Sequence, residues 1–175
     1  MSILIGDIGN SVTKICLVDD KTLRIIKITN FFSKSILNKK VLIKEIEKLI
    51  KNKKENNFSL FSSVVPKYYS KLEKLFKERF KVKLKEIKDK KIKKIVKIKI
   101  KNKSQVGSDR IANAVGVYKI YKENCIVLDF GTATTFDVIT KNGIYNGGII
   151  APGINNSIKS LSASADQIPV FSVKK

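Results

Sequence analysis

The sequence contains no histidine, and this absence excludes catalytic sites that depend on a histidine side chain. The Asp-Phe-Gly triplet at residues 129–131 is familiar from protein kinases. That fold also needs a Val-Ala-Ile-Lys strand and a His-Arg-Asp loop, and the chain has neither. It also lacks a Walker A loop, Gly-x4-Gly-Lys-[Ser/Thr]. If the chain binds a nucleotide, it must use another kind of loop.

Cysteine is scarce and long apolar runs are missing. The two cysteines, Cys16 and Cys125, lie in apolar strand-like segments. This favours buried thiols over a disulfide and fits a reducing cytosol. The sequence has no transmembrane run, and Gly6, Asp7 and Gly9 interrupt the apolar N-terminus too early for a signal peptide. We therefore expect a cytoplasmic protein without a membrane partner.

Acidic residues are few, so the 175-residue chain carries a net charge of +21. Lysine is densest at residues 81–103, but it is spread along most of the preceding chain and mixed mainly with Ile and Asn. Aromatic residues are not interleaved with the lysines, as a nucleic-acid stacking platform would require. A solvated surface is the favoured interpretation and nucleic acid is not an expected partner, although a positive field also steers small anionic substrates.

The pattern of apolar residues predicts an α/β protein. Strands are predicted at 3–9, 12–19, 22–29, 58–65, 81–87, 95–100, 125–130, 134–140 and 144–150, and helices at 38–52, 67–80, 108–122 and 154–163. The order β-β-β-α-β-α-β followed by β-β-β-α is typical of a mixed sheet in each of two halves.

An internal repeat supports this division. Residues 3–14, "ILIGDIGNSVTK", align with residues 126–137, "IVLDFGTATTFD", when Asp7 is placed on Asp129. Each copy has an apolar run, an Asp, a Gly and a Thr-containing segment, so the halves are expected to be related. We predict one domain at 1–122 and the start of a second at 123–175.

The first copy has the chemistry of a phosphate and metal loop. Asp7, at a strand end, is placed to hold magnesium. Gly9 lets backbone N–H groups approach a phosphate, Asn10 and Thr13 offer hydrogen bonds, and Lys14 offers charge. The alternative is an ordinary β-turn with capping residues.

In the second copy, Asp129 is a candidate cation ligand, and the backbone at Gly131–Thr132 is a candidate phosphate contact. A nucleotide held by two such hairpins would need both copies. The paired glycines and the Pro-Gly turn of the later "GGIIAPG" bring backbone close to another group, or serve only as structural turns.

A third segment, "VGSDRIANAVG" at 106–116, places Asp109 and Arg110 at a helix start. Asp109 is a candidate general base for a substrate hydroxyl, and Arg110 is a candidate anion ligand. The alternative is helix capping by Ser108, with Asp109 favourable at the positive end of the helix.

Together, "DIGNS", "GSDR", "DFGTATTFD" and "GGIIAPG" resemble, in order, the motifs of type III pantothenate kinases, which belong to the acetate and sugar kinase/Hsp70/actin superfamily. The resemblance implies two ribonuclease-H-like (actin-like ATPase) halves. It implies ATP-dependent phosphorylation of pantothenate to 4'-phosphopantothenate, the first step of coenzyme A biosynthesis, by a homodimer.

The resemblance also assigns residues. It implies Asp109 as the general base, magnesium at Asp7, and a monovalent cation, potassium or ammonium, at Asp129. The implied pantothenate contacts are Gly107, Ser108, Asp109 and Arg110. The implied ATP contacts are Asp7, Ile8, Gly9, Asn10, Ser11, Val12, Thr13, Lys14 and Thr132.

Family members usually continue past the position of Lys175, so the second half is expected to be incomplete. Two other functions stay open at this stage. One is a non-catalytic binding or regulatory relative with the same fold. The other, motivated by charge alone, is a nucleic-acid binder.

Overall fold

The computed structural model describes residues 2–50, 55–88 and 95–165, together with Pro169 and Phe171. The chain packs as two compact units, each with its own sheet. The first unit comprises residues 1–94 and 106–112, and the second comprises residues 95–105 and 113–175. The sequence-based division between residues 122 and 123 falls inside the second unit.

The first unit is built on a five-stranded sheet in the order β3-β2-β1-β4-β5. The strands are β1 (Ser2–Ile8), β2 (Val12–Asp19), β3 (Ile25–Phe32), β4 (Glu55–Ser63) and β5 (Lys83–Glu86). The first three form an antiparallel meander, whereas β4 and β5 run parallel to β1. Ile8 and Ser63 are register partners, so the carboxyl ends of β1 and β4 lie side by side at one edge of the sheet.

Two helices, α1 (Lys39–Ile50) and α2 (Pro66–Leu75), contribute to the core of this unit. Their buried side chains recur at helical spacing, because residues three and four apart share one face of a helix. This core joins Leu42, Ile46, Leu49, Leu72 and Leu75 of the helices to Leu4, Ile8, Ile15 and Leu17 of the sheet. The buried ring of Phe61 occupies the space over Gly6, where a Cβ would overlap it. Glycine at position 6 therefore lets the sheet accept this ring.

The second unit has a mixed four-stranded sheet in the order β6-β9-β8-β7. The strands are β6 (Lys97–Ile98), β7 (Cys125–Phe130), β8 (Ala133–Ile139) and β9 (Ile144–Pro152), and the helices are α3 (Ser108–Ile120) and α4 (Ile154–Ser164). The first residues of α3 belong to the first unit.

Two features fix the register of the β8–β9 hairpin. Gly147 has a φ of 107°, and the ladder shifts register between Val138 and Ile139 at this bulge. Gly147 therefore supplies a conformation that other residues rarely adopt. Beside the bulge, the buried Tyr145 hydroxyl donates a hydrogen bond of 2.7 Å to Oδ1 of the buried Asp137.

The α/β class and the mixed sheets predicted from the sequence are confirmed, with local differences. β3 begins at Ile25 and not at residue 22, because the preceding turn continues through Leu23, whose N–H donates to the Asp19 carbonyl. The strand predicted at 95–100 is reduced to Lys97–Ile98. Residues 51–52 of the first predicted helix lie outside the described part of the chain.

The helix predicted at 67–80 is α-helical only to Leu75 and ends in a π-helical turn at Phe76–Phe80. Both cysteines are free thiols, as predicted, but they are only partly buried. Among the described helices, none combines the length and the hydrophobicity that a membrane span requires.

Candidate phosphate and substrate site

The loop from Asp7 to Lys14 is the tight connection of the β1–β2 hairpin. The Gly9 N–H donates a hydrogen bond of 3.1 Å to the Val12 carbonyl oxygen, which closes the turn. A Cβ at position 9 would lie 2.9 Å from that same oxygen. The sequence prediction of a strand, a tight turn and a second strand is therefore confirmed.

Only part of this loop faces solvent. The exposed side chains are Asp7, Asn10, Ser11, Val12 and Lys14, whereas Ile8 and Thr13 are fully buried. Asp7 and Lys14 are directly opposed across the hairpin, so their side chains lie on the same face of the sheet. This face therefore presents a carboxylate for a cation beside an ammonium group for an anion.

Ser33 holds the loop from behind. Its hydroxyl donates to the Gly9 carbonyl oxygen at 2.7 Å and lies 2.9 Å from the buried Thr13 Oγ1. The Ser33 N–H donates to the Ser11 carbonyl oxygen at 2.9 Å. The Thr13 hydroxyl thus helps to fix the loop from within the protein. Ser33 was not found by sequence reasoning, because no local pattern links it to its partners Gly9, Ser11 and Thr13, which lie twenty or more residues away.

The start of α3 is attached to the same edge of the first sheet. Ser108 Oγ lies 2.7 Å from the Ser63 carbonyl oxygen and 2.7 Å from Glu86 Oε1. Ser63 ends β4, and the next N–H, that of Val64, donates to the Ile8 carbonyl oxygen. The segment Gly107–Arg110 therefore lies at the sheet edge where β1 ends, close to Asp7. Ser108 makes this long-range contact in place of the helix cap predicted for its side chain.

Asp109 is folded back over the first turn of α3. Its Oδ1 accepts a hydrogen bond of 2.8 Å from the Arg110 N–H. A Cβ on Gly107 would overlap this oxygen, so the glycine leaves room for the carboxylate. The Arg110 side chain is buried, whereas Asp109 is partly exposed. The contact to the backbone agrees with a capping role for Asp109, and its partial exposure also leaves it accessible to a substrate.

Asp129 lies near the end of β7 in the second unit. The Asn113 side-chain amide donates to Asp129 Oδ2 at 3.2 Å, and Thr135 is the cross-strand partner of Asp129. Asp129 is exposed, and the turn after it is closed by a 3.0 Å hydrogen bond from the Gly131 N–H to the Ala133 carbonyl oxygen. The glycine N–H closes the turn in both hairpins, but the Gly131 N–H bonds to the second residue on, whereas the Gly9 N–H bonds to the third.

The Pro-Gly turn packs against this second hairpin. The Gly153 N–H donates to the Thr132 carbonyl oxygen at 3.2 Å. A Cβ at position 153 would overlap the carbonyl oxygens of Gly131 and Thr132. Glycine is required here by close backbone approach, since the φ of −66° is open to any residue. The "GGIIAPG" segment therefore packs against the turn that follows Asp129.

The residues around Asp7 fit a magnesium ion carried by phosphates. Among the described residues, no group of three or more Cys, Asp or Glu side chains is arranged to enclose a metal ion. Magnesium in nucleotide sites usually takes one or two carboxylates, with phosphate oxygens and waters as its other ligands. One exposed carboxylate at a strand end, with Lys14 beside it, meets that requirement.

Comparison with known proteins decides the family. The family model described as type III pantothenate kinase matches residues 3–175. The chain belongs to the type III pantothenate kinase family. The type III pantothenate kinase of Pelagibacter ubique (strain HTCC1062) is 47% identical over 176 residues, which cover 99% of this chain and 68% of that relative. The type III pantothenate kinase of Endomicrobium trichonymphae is 43% identical over 123 residues, 70% of this chain and 47% of that protein.

Solved structures agree on the fold. The ethanolamine utilization protein EutJ from Carboxydothermus hydrogenoformans matches with a TM-score of 0.51 at 14% identity, over 97% of this chain and 58% of that one. At this identity the likeness concerns the fold alone, and it supports the actin-like ATPase class expected for a type III pantothenate kinase. Membership of this family makes the chain a relative of kinases, which are nucleotide-binding transferases.

Proposed function

We propose that this chain phosphorylates pantothenate with ATP to give 4'-phosphopantothenate, the first step of coenzyme A biosynthesis. The observation that carries the proposal is the attachment of Ser108 to the Ser63 carbonyl oxygen. Through it, a carboxylate suited to a general base, Asp109, shares a sheet edge with the Asp7 loop. Phosphoryl transfer needs positioning and charge neutralisation more than covalent help, and this arrangement offers both.

Each residue of the "GSDR" segment has its own part in this proposal. Asp109 accepts the proton of the pantothenate primary hydroxyl as the oxygen attacks the γ-phosphorus of ATP, the bond from that phosphorus to the bridging oxygen breaks, and ADP leaves. Arg110 and the backbone at Gly107 hold the substrate. The Ser108 hydroxyl already lies within bonding distance of two acceptors, so this residue acts mainly by fixing the segment.

The residues of the Asp7 loop bind and orient the nucleotide. Backbone N–H groups near Gly9, with the exposed Asn10 and Ser11, face the phosphates, and Lys14 adds positive charge. Asp7 would hold magnesium, which neutralises charge on the phosphate oxygens when bound. The other loop residues mainly support the loop. Ile8 and Thr13 are buried, and the Val12 carbonyl oxygen accepts the hydrogen bond that closes the turn.

We propose a monovalent cation, potassium or ammonium, at Asp129, with Asn113 orienting the carboxylate. Thr132, in the adjoining turn, is the proposed ATP contact of the second unit. A homodimer and a cytoplasmic location are proposed on the family resemblance. The proposed division of the chain into two related halves is supported by the two antiparallel hairpins that follow the aligned apolar runs, each with a glycine N–H bonded within its turn.

The test is formation of 4'-phosphopantothenate by the purified chain with ATP and magnesium, in parallel series with potassium, ammonium or sodium. We expect product with potassium or ammonium and little with sodium. Equal rates in all three salts would contradict the cation assignment. Binding of ATP and pantothenate without product, from a folded sample, would contradict catalysis and favour a non-catalytic binding relative.

A further inference from the structure

Ser62, near the end of β4, carries a buried hydroxyl. The residue is 4% exposed, and its Oγ has no hydrogen-bond partner among the residues that the structure describes. An unsatisfied buried hydroxyl is costly, and most buried polar atoms in proteins are paired. A buried hydroxyl without a partner at this position therefore points to a partner that arrives with a ligand.

The other buried hydroxyls of β4 are satisfied. The Ser59 hydroxyl donates to the Lys83 carbonyl oxygen at 3.2 Å, and the Ser63 hydroxyl lies 3.2 Å from the Val65 carbonyl oxygen. All three serines are at least nine-tenths buried. Among the described residues, Ser62 therefore differs from Ser59 and Ser63 in lacking a hydrogen-bond partner, and not in how deeply it is buried.

The position of Ser62 connects two parts of the candidate site. It is the register partner of Asp7, so the two side chains lie on the same face of the sheet. The next residue along the chain, Ser63, supplies the carbonyl oxygen to which Ser108 is attached. The Ser62 side chain therefore lies beside the proposed magnesium carboxylate, one residue from the anchor of the segment that carries Asp109.

We propose that Ser62 donates a hydrogen bond to the phosphoryl group that is being transferred. The inference rests on the proposed function, because that reaction brings the γ-phosphate of ATP between the Asp7 loop and the base Asp109. The transferred group has three equatorial oxygens, and neutral donors aimed at them stabilise the charge that they carry. Neither the sequence motifs nor the family resemblance pointed to Ser62.

The experiment compares the wild-type chain with Ser62→Ala and with Ser59→Ala as the matched control. The readouts are the dissociation constants of ADP and of AMPPNP, each with magnesium, by isothermal titration calorimetry. AMPPNP carries a γ-phosphoryl group and ADP does not. We expect Ser62→Ala to weaken AMPPNP binding about ten-fold, the worth of one hydrogen bond to a charged acceptor, with ADP binding unchanged. Ser59→Ala should leave both constants unchanged.

Thermal unfolding without ligand supplies a second readout. Ser62→Ala removes an unsatisfied hydroxyl, so its melting temperature should equal or exceed that of the wild type, whereas Ser59→Ala removes a hydrogen bond and should melt lower. Equal weakening of ADP and AMPPNP, or no change in either, overturns the inference. If the wild-type chain makes no phosphopantothenate, the proposed reaction is refuted. A selective loss of AMPPNP affinity in Ser62→Ala would still support the contact between Ser62 and the γ-phosphoryl group.

Discussion

Ser108 Oγ lies 2.7 Å from the carbonyl oxygen of Ser63, and this contact joins the start of α3 to the end of β4. The two residues are 45 positions apart in the sequence. Because β4 is parallel to β1, the contact also brings the "GSDR" segment to the strand end that carries Asp7. Two motifs that are distant in the sequence thereby share one edge of one sheet.

Replacement of Asp109 by Asn tests the proposed general base. We expect turnover to fall about 100- to 10,000-fold, because the amide cannot accept the substrate proton. The Asn oxygen can still accept the Arg110 N–H, so the melting temperature should change little. Turnover is measured as phosphopantothenate formation. Glu73→Gln, at an exposed position on α2, is the control, and an equal effect of the two changes would contradict the assignment.

Gly107→Ala tests the space beneath the Asp109 carboxylate. The new Cβ would overlap Asp109 Oδ1, which is the end of a side chain and can move away. We expect turnover to fall at least about ten-fold from the displaced carboxylate, with only a small loss of stability. Gly116→Ala, in α3, is the control: its Cβ meets no atom within 4 Å, so the change should keep activity while stabilising the helix by about 0.5–1 kcal/mol. Unchanged turnover in Gly107→Ala would show that the carboxylate position is unimportant.

Gly153→Ala should act on stability. The Cβ would overlap two backbone carbonyl oxygens, which cannot move aside as a side chain can. We expect a loss of about 2 kcal/mol or more in the free energy of unfolding, measured by urea denaturation. A loss below about 0.5 kcal/mol would mean that the turn and the start of α4 are not in firm contact.

Glu45 predicts a pH dependence of stability. Hydrogen bonds from Lys48 and from the Thr29 hydroxyl lower the pKa of Glu45 below its ordinary value of 4.5. A lowered pKa stabilises the folded state above pH 4.5, and this contribution is lost as the pH falls through the folded pKa. Glu45→Gln should therefore cost less than about 1 kcal/mol at pH 7 and nothing at a pH below the folded pKa. Urea unfolding at both pH values measures the free energy of unfolding of the wild type and of Glu45→Gln. A difference between the two proteins that does not change with pH would contradict the assigned cause.

Local patterns in the sequence predicted much of the fold. The apolar runs before Asp7 and Asp129, each followed by a glycine turn, predicted two hairpins that the structure contains. The apolar spacing of α1 predicted its buried face, since one helix face repeats every three or four residues. These features depend on neighbours in the chain, which is why the sequence alone reveals them.

Features that depend on distant residues were not predicted. The contact between the Thr13 and Ser33 hydroxyls in the interior was not foreseen. Helix capping was the alternative interpretation of Ser108, yet its hydroxyl reaches Ser63. Leu23 adopts a left-handed φ of 56° and extends the turn before β3, although leucine gives no turn signal. In each case tertiary contacts or backbone strain override the local preference.

The attachment of the Asp7 loop to Ser33 has a consequence for the kinetics of nucleotide binding. A loop held at Gly9, Ser11 and Thr13 before any ligand arrives has already lost most of its conformational freedom during folding. Association should then proceed in one step at a rate set by diffusion and charge, without a slow ordering phase. The amide hydrogens of this loop should exchange with solvent nearly as slowly in the free protein as in the complex.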